Sequence, residues 1–144
     1  MPSIEVSYHP ETYRELFEDV LAEYPGFAEA LRLDFIDYVS GKLPSYFGKD
    51  DVYTHPHLAY TVKLQHIHLA LPPDVFPHGM AQRDRKCKRG KPGQDAALVY
   101  VRGLYEDHRY CLLAVLHPNA HGRAKEDRIM NYLSRLAKEF RDQN

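Results

Sequence analysis

Two apolar runs near the C-terminal end constrain the fold of this chain more than any other feature. Ala96–Leu104 reads AALVYVRGL and Tyr110–His117 reads YCLLAVLH, with Glu106-Asp107-His108 between them. Short apolar runs rich in β-branched and aromatic residues and bounded by turn residues are strands, and so brief a connection makes them a hairpin. A third strand is expected at Tyr60–Leu71 (YTVKLQHIHLAL), and a fourth at Ser3–Tyr8, where polar and apolar residues alternate.

The N-terminal third has a different period. Tyr13, Leu16, Phe17, Val20, Leu21 and Tyr24 form one helical stripe that ends at Pro25-Gly26. Phe27, Ala30, Leu31, Phe35 and Tyr38 form a second, which stops at Ser40-Gly41. Two helices joined so tightly are expected to be an antiparallel pair. Residues 43–58 read as irregular, and residues 72–95, with four prolines and three glycines, as a long loop. A last helix after Pro118 and Gly122 runs to about Arg141, with Ile129, Leu133, Leu136 and Phe140 on its apolar face. The order β-α-α-β-β-β-α predicts an α+β fold with an antiparallel sheet, helices packed on one face and the other face free to work.

Length and charge narrow the function. A chain of 144 residues is expected to be one domain, 1–144. No apolar run approaches the ~20 residues of a membrane span, and MPSIEVSYHPE lacks the basic-then-apolar pattern of a secretory signal. Cys87 and Cys111 stand alone, without a disulfide framework or zinc spacing, which suits the reducing cytoplasm. The net charge is −1, so contact with a polyanion has to come from a local patch. No Walker loop, GxGxxG or GxSxG is present.

Five segments carry candidate chemistry. Period-two alternation puts His66 and His68 on one face of a strand, where they serve as acid–base groups, as two ligands of a metal short of a third, or simply as hydrogen-bonded sheet residues. Leu98, Tyr100 and Arg102 alternate on the next strand, either as a surface that stacks on a base and clamps a phosphate or as an ordinary solvated face. Residues 83–91 hold six cations (Arg83, Arg85, Lys86, Lys88, Arg89 and Lys91) against one anion, Asp84. Such segregated charge attracts a phosphate backbone; without a partner it is a solvated loop. His121 lies in Pro118–Gly122 at a helix start, a natural phosphate site and equally a place for a capping histidine. Lys49-Asp50-Asp51 follows Phe47-Gly48 and reads most simply as a turn.

Taken in order, DFIDYVSGKLPSYFGKDDVYTHP (34–56), QHIHLAL (65–71), ALVYVRG (97–103), LLAVLHPNAH (112–121) and LAKEFR (136–141) resemble the YafO family of bacterial type II toxins. The HIHLA and LP-x-x-FG-[KR]-D segments are the most specific. The resemblance implies a RelE-like fold and a ribosome-dependent mRNA interferase in the cytoplasm, silenced by a cognate YafN-like antitoxin. The family's LVY, HIH and P-x-x-H map onto Leu98–Tyr100, His66–His68 and Pro118/His121, and its [KR]-D onto Lys49-Asp50. The N-terminal helices carry no family signature, and the basic loop is longer than the pattern suggests.

The chemistry implied is transesterification without cofactor or metal, in which a base activates a ribose 2′-OH, an acid protonates the leaving oxygen and cations stabilise the charge. His66 and His68 are expected to move the protons, with His121 a rival for one role. Arg102 is expected to clamp phosphate and Tyr100 to orient a base, with Lys49 and, more weakly, Lys63 as further cations. Two other readings stay open: a non-catalytic RNA- or ribosome-binding module, and a metal-dependent phosphoesterase.

Overall fold

A computed structural model describes residues 2–87 and 90–144. Lys88 and Arg89 of the basic loop lie outside the described residues. Strand β1 (Glu5–Tyr8) leads into a single π-helical turn at Arg14–Glu18, then helix α1 (Phe27–Val39) and strand β2 (Phe47–Val52). Helix α2 (His57–Thr61) precedes strand β3 (Gln65–Leu69), and strands β4 (Ala96–Arg102) and β5 (Arg109–Leu116) follow the long loop. Helices α3 (Ala120–Arg123) and α4 (Asp127–Gln143) close the chain. The five strands form one sheet in the order β1-β5-β4-β3-β2.

The fold is α+β, as the pattern predicts, but three details differ. The sheet is not purely antiparallel: β1 pairs parallel to β5, Glu5 opposite Arg109 and Tyr8 opposite Leu112. The expected first helix is one π-helical turn, closed by Asp19 N–H donating to Arg14 O at 2.9 Å, followed by irregular turns up to α1. The third difference is in the layers: helices cover both faces of the sheet rather than one. Leu98, Tyr100, Tyr110 and Leu112 pack with Phe17, Leu31 and Phe35 on the α1 side. Ala97, Val99, Val101, Cys111 and Leu113 pack with Met130, Leu133 and Leu136 on the α4 side. Residues Ala96–Val101 and Tyr110–Leu116 are therefore buried without interruption. A strand covered on both faces reads as a continuous apolar run, which is how β4 and β5 are written. Leu113 and Ala114 both turn toward α4, beside a register shift opposite Val99–Tyr100, so β5 carries a bulge there.

Two elements lie where pattern predicted otherwise. Residues 47–52 (FGKDDV) form a strand although Gly, Lys and two Asp give it little strand propensity. Pairing holds it: Asp50 lies opposite Ile67 and Asp51 opposite His66, and on its other side Lys49 N–H donates to Arg85 O at 2.8 Å. Tyr60–Thr61 close α2 rather than opening β3, because Leu58, Ala59 and Val62 pack beneath α4.

The stretch 80–87 is tied to β2 by buried polar contacts. Arg85 is 7% exposed and donates from Nη1 to Phe47 O (3.2 Å) and from Nε to Met80 O (3.1 Å). Gln82 Nε2 donates to Gly48 O at 3.0 Å and to Tyr38 Oη at 2.9 Å. Tyr38 and Tyr100 both donate to Asp50 Oδ2, at 2.6 and 2.7 Å, and burial raises the Asp50 carboxyl above its ordinary range. Gly48 is where β2 and this segment come closest: a Cβ there would lie 2.4 Å from Arg85 O and 2.9 Å from the Phe76 ring. Gly48→Ala is expected to cost about 1–3 kcal/mol, since the nearest obstacle is backbone and cannot swing away. Urea unfolding of the two proteins measures it, and equal midpoints would contradict this packing.

Candidate active site

Alternation along β3 sends Ile67 and Leu69 to the α1 side and leaves His66 and His68 on the other. That face is open where α3, only four residues long, replaces the cover of α4. A pocket of about 210 Å³ lies there, lined by Tyr53, His66, His68, Asp95, His121 and Lys125 among others.

Three imidazoles meet in it. The His66 and His68 rings are 5.8 Å apart, those of His68 and His121 are 5.5 Å apart, and Tyr53 stacks on His66 at 3.9 Å. His121 Nδ1 lies 2.8 Å from Asp95 Oδ1 and 2.9 Å from Oδ2. The Asp95 side chain is 3% exposed, and it also accepts the His121 backbone N–H at 2.9 Å. A carboxylate accepts only, so it requires a proton on Nδ1 and leaves the Nε2 lone pair of a neutral His121 free. His68 is held the opposite way. Its Nδ1 accepts the backbone N–H of Cys87 at 2.8 Å, so in the neutral ring the proton sits on Nε2. The pocket thus pairs an acceptor with a donor.

Burial, then the nearby His121, push His68 down to about 4, and burial, then His68, push His66 down to about 4. Lys49 and Lys86 add to the depression at His68. His66 Nδ1 is buried and has no hydrogen-bond partner among the described residues. Three lysines bring positive charge: Lys125 on the pocket wall, Lys86 on the loop, and Lys49, 3.5 Å from Asp51.

The structure brings His66, His68 and His121 together and leaves other expected site residues outside. Tyr100 is 4% exposed beneath α1, its hydroxyl given to Asp50, so it offers no ring for a base. Arg102 lies over the Tyr110 ring, 5.4 Å away, and donates to Asp107 O, in a group separate from the pocket. Arg85 is spent on backbone carbonyls, whereas Arg83, Lys86 and Lys91 are exposed. Lys63 is exposed in the turn before β3, at φ 55°, rather than within the strand. The expected phosphate site at Pro118–Gly122, which opens the short α3 rather than the last helix, is also filled: the N–H groups of Ala120 and His121 go to the Asp95 backbone and side chain, and that of Gly122 to Asn119 Oδ1. A carboxylate of the chain itself sits where an anion would bind.

Asp95 and Lys125 escaped the sequence reading. Asp95 is one acid at the end of a polar loop, 26 positions from its partner. Its one signal was its place directly before a fully apolar strand, where an acid has to find a partner. Among the described residues no group of three or more His, Cys, Asp or Glu is arranged to hold a metal ion, and no helix is long and apolar enough to cross a membrane.

Comparison with known proteins agrees with the resemblance. The profile of the family described as "Toxin YafO, type II toxin-antitoxin system" matches residues 36–142. The chain is 33% identical to the mRNA interferase toxin YafO of Escherichia coli (strain K12) over 118 residues, which cover 78% of this chain and 84% of that protein. No solved structure matches.

The depressed histidines make stability pH-dependent. Both bind protons more readily in the unfolded chain, so their contribution is complete above about pH 6.5 and is lost as the pH falls through about 4. The melting temperature is expected to drop across that window, and to drop less in a His66→Gln/His68→Gln variant. Parallel melting curves against pH for the two proteins would contradict the assignment.

Proposed function

The chain belongs to the YafO family of type II toxin–antitoxin toxins, and on that premise we propose how it carries out the mRNA-interferase activity for which its Escherichia coli relative is named. It is an endoribonuclease, it works in the cytoplasm on mRNA positioned by the ribosome, and its partner is a cognate antitoxin. The element order, with β2 and the short helices added, supports the RelE-like reading of the fold.

One observation carries the mechanism: the His121 imidazole oriented by the buried Asp95 carboxylate at 2.8 Å, beside a His68 whose Cys87 contact fixes the opposite tautomer. His121 Nε2 takes the proton of a ribose 2′-OH. Asp95 holds the ring in the required tautomer and stabilises the imidazolium that forms. The activated oxygen attacks the adjacent phosphorus, giving a 2′,3′-cyclic phosphate and expelling the 5′-oxygen of the next nucleotide. His68 Nε2–H points a donor at the phosphate oxygens. The approaching negative charge raises the proton affinity of His68 and His66, opposing the depression that burial causes, so one of them protonates the leaving oxygen. Lys49, Lys86 and Lys125 stabilise the added charge. Arg83 and Lys91 extend the positive surface toward ribosomal RNA or mRNA, with Lys88 and Arg89 as further candidates from the sequence.

A near-neutral protein with so small a patch suits an enzyme whose substrate is held by a larger body. Primer extension after induced expression tests this on a translated mRNA and on the same mRNA without its start codon. Discrete cuts are expected only in the translated message. His121→Ala and Asp95→Asn are expected to lower cleavage about 10²–10⁴-fold with the fold retained by circular dichroism, while Arg102→Ala leaves it unchanged. Cuts in both messages would mean a free RNase. Growth arrest without cuts would favour the non-catalytic binding module.

A further inference from the structure

A second cavity, of about 300 Å³, lies beside the histidine pocket, and Tyr24, Asp74, Phe76, Lys86, Cys87 and Gln94 are among its walls. The two share a partition. Cys87 lines the second cavity while its backbone N–H holds His68 in the first. Gln94, on one side, is followed in the chain by Asp95 on the other. Lys86 lines the second cavity, and its charge is felt at His68.

We propose that this cavity is the subsite for the base of the nucleotide next to the cleaved phosphodiester. The proposal rests on the nuclease reading above and deepens it. Single-stranded RNA is recognised by splaying bases out, stacking them on aromatic rings and bonding their edges, while cations follow the backbone between them. The cavity has those parts. Tyr24 and Phe76 are the aromatic walls, the Asp74 carboxylate accepts from base N–H groups, and Gln94 offers both a donor and an acceptor. Lys86 stands between the two cavities, where the linking phosphate would pass. The sheet faces offer no aromatic platform, because Tyr100 and its neighbours are covered by α1. In the histidine pocket the Tyr53 ring is 8% exposed and stacked on His66 at 3.9 Å, so the base next to the cut is taken by Tyr24 and Phe76 beyond Cys87, and cleavage preference is set by Asp74 and Gln94 rather than by β4.

The test is an NMR titration of the full chain with a 2′-O-methyl RNA trinucleotide, which cannot be cleaved, and with inorganic phosphate. The trinucleotide is expected to shift the amides of Ala120 and His121 and also those of Asp74 and Gln94, whereas phosphate shifts the first pair alone. Asp74 and Gln94 are both exposed, so an Asp74→Ala/Gln94→Ala variant should stay folded; it is expected to bind the trinucleotide roughly tenfold more weakly and phosphate as before. Trinucleotide shifts confined to Ala120 and His121 would overturn the subsite and leave the histidine site standing. Shifts at neither pair would overturn both. Equal affinity of variant and parent would also overturn the subsite.

Discussion

Everything else in this fold follows from the need to cover β4 and β5 on both faces. Their side chains are apolar in both directions, so a helical layer on one side alone would leave Leu98, Leu112 and Val115, or Val99, Val101 and Leu113, in water. The chain meets this with α1 on one face and α4 on the other. No face of the central sheet is left free, and the pocket that gathers the three histidines opens where cover is thinnest, at β3, next to the four residues of α3.

The same constraint accounts for the lowered proton affinity of His66 and His68 in the pocket. His66 and His68 lose solvation under the sheet and short helices, and with their rings 5.8 Å apart each opposes protonation of the other. His66 and His68 are consequently held toward their neutral forms, and the positive charge near them comes from Lys49, Lys86 and Lys125. Asp95, buried and aimed at one nitrogen, gives the His121 ring a fixed tautomer, while the Cys87 N–H fixes His68 the other way. The long loop, whose basic residues read as a phosphate-attracting or solvated segment, is around residues 82–87 a structural tie: Gln82, Arg85 and Cys87 fasten it to β2 and β3 and so hold both the pocket and the cavity beside it.

Much of this was legible from residue order. The hairpin of β4 and β5, the strand that carries the histidines, the helix of residues 27–39 and the apolar stripe of α4 all appear as local periodicity, and local periodicity is what burial on one element imprints. The HIH alternation likewise put His66 and His68 on a common face. What escaped was held by partners distant in sequence. FGKDDV is a strand only because β3 and the Arg85 segment pair with it. Tyr100 looks like a reader of bases until Asp50, 50 positions away, takes its hydroxyl.

The sequence by itself determined the family, the hairpin of β4 and β5, the strand of the histidine pair and the helices of residues 27–39 and 127–143, because each of these is written in composition, spacing or short motifs. Only the tertiary structure decided which titratable groups share a pocket. It joined His121 to His66 and His68, brought in Asp95 and Lys125, removed Tyr100 and Arg102, and turned Arg85 from a phosphate contact into a buried brace. The physical reason is that a side chain's partner, its solvation and hence its protonation are set by what lies across space from it, and in this chain those neighbours stand 19 to 50 residues apart.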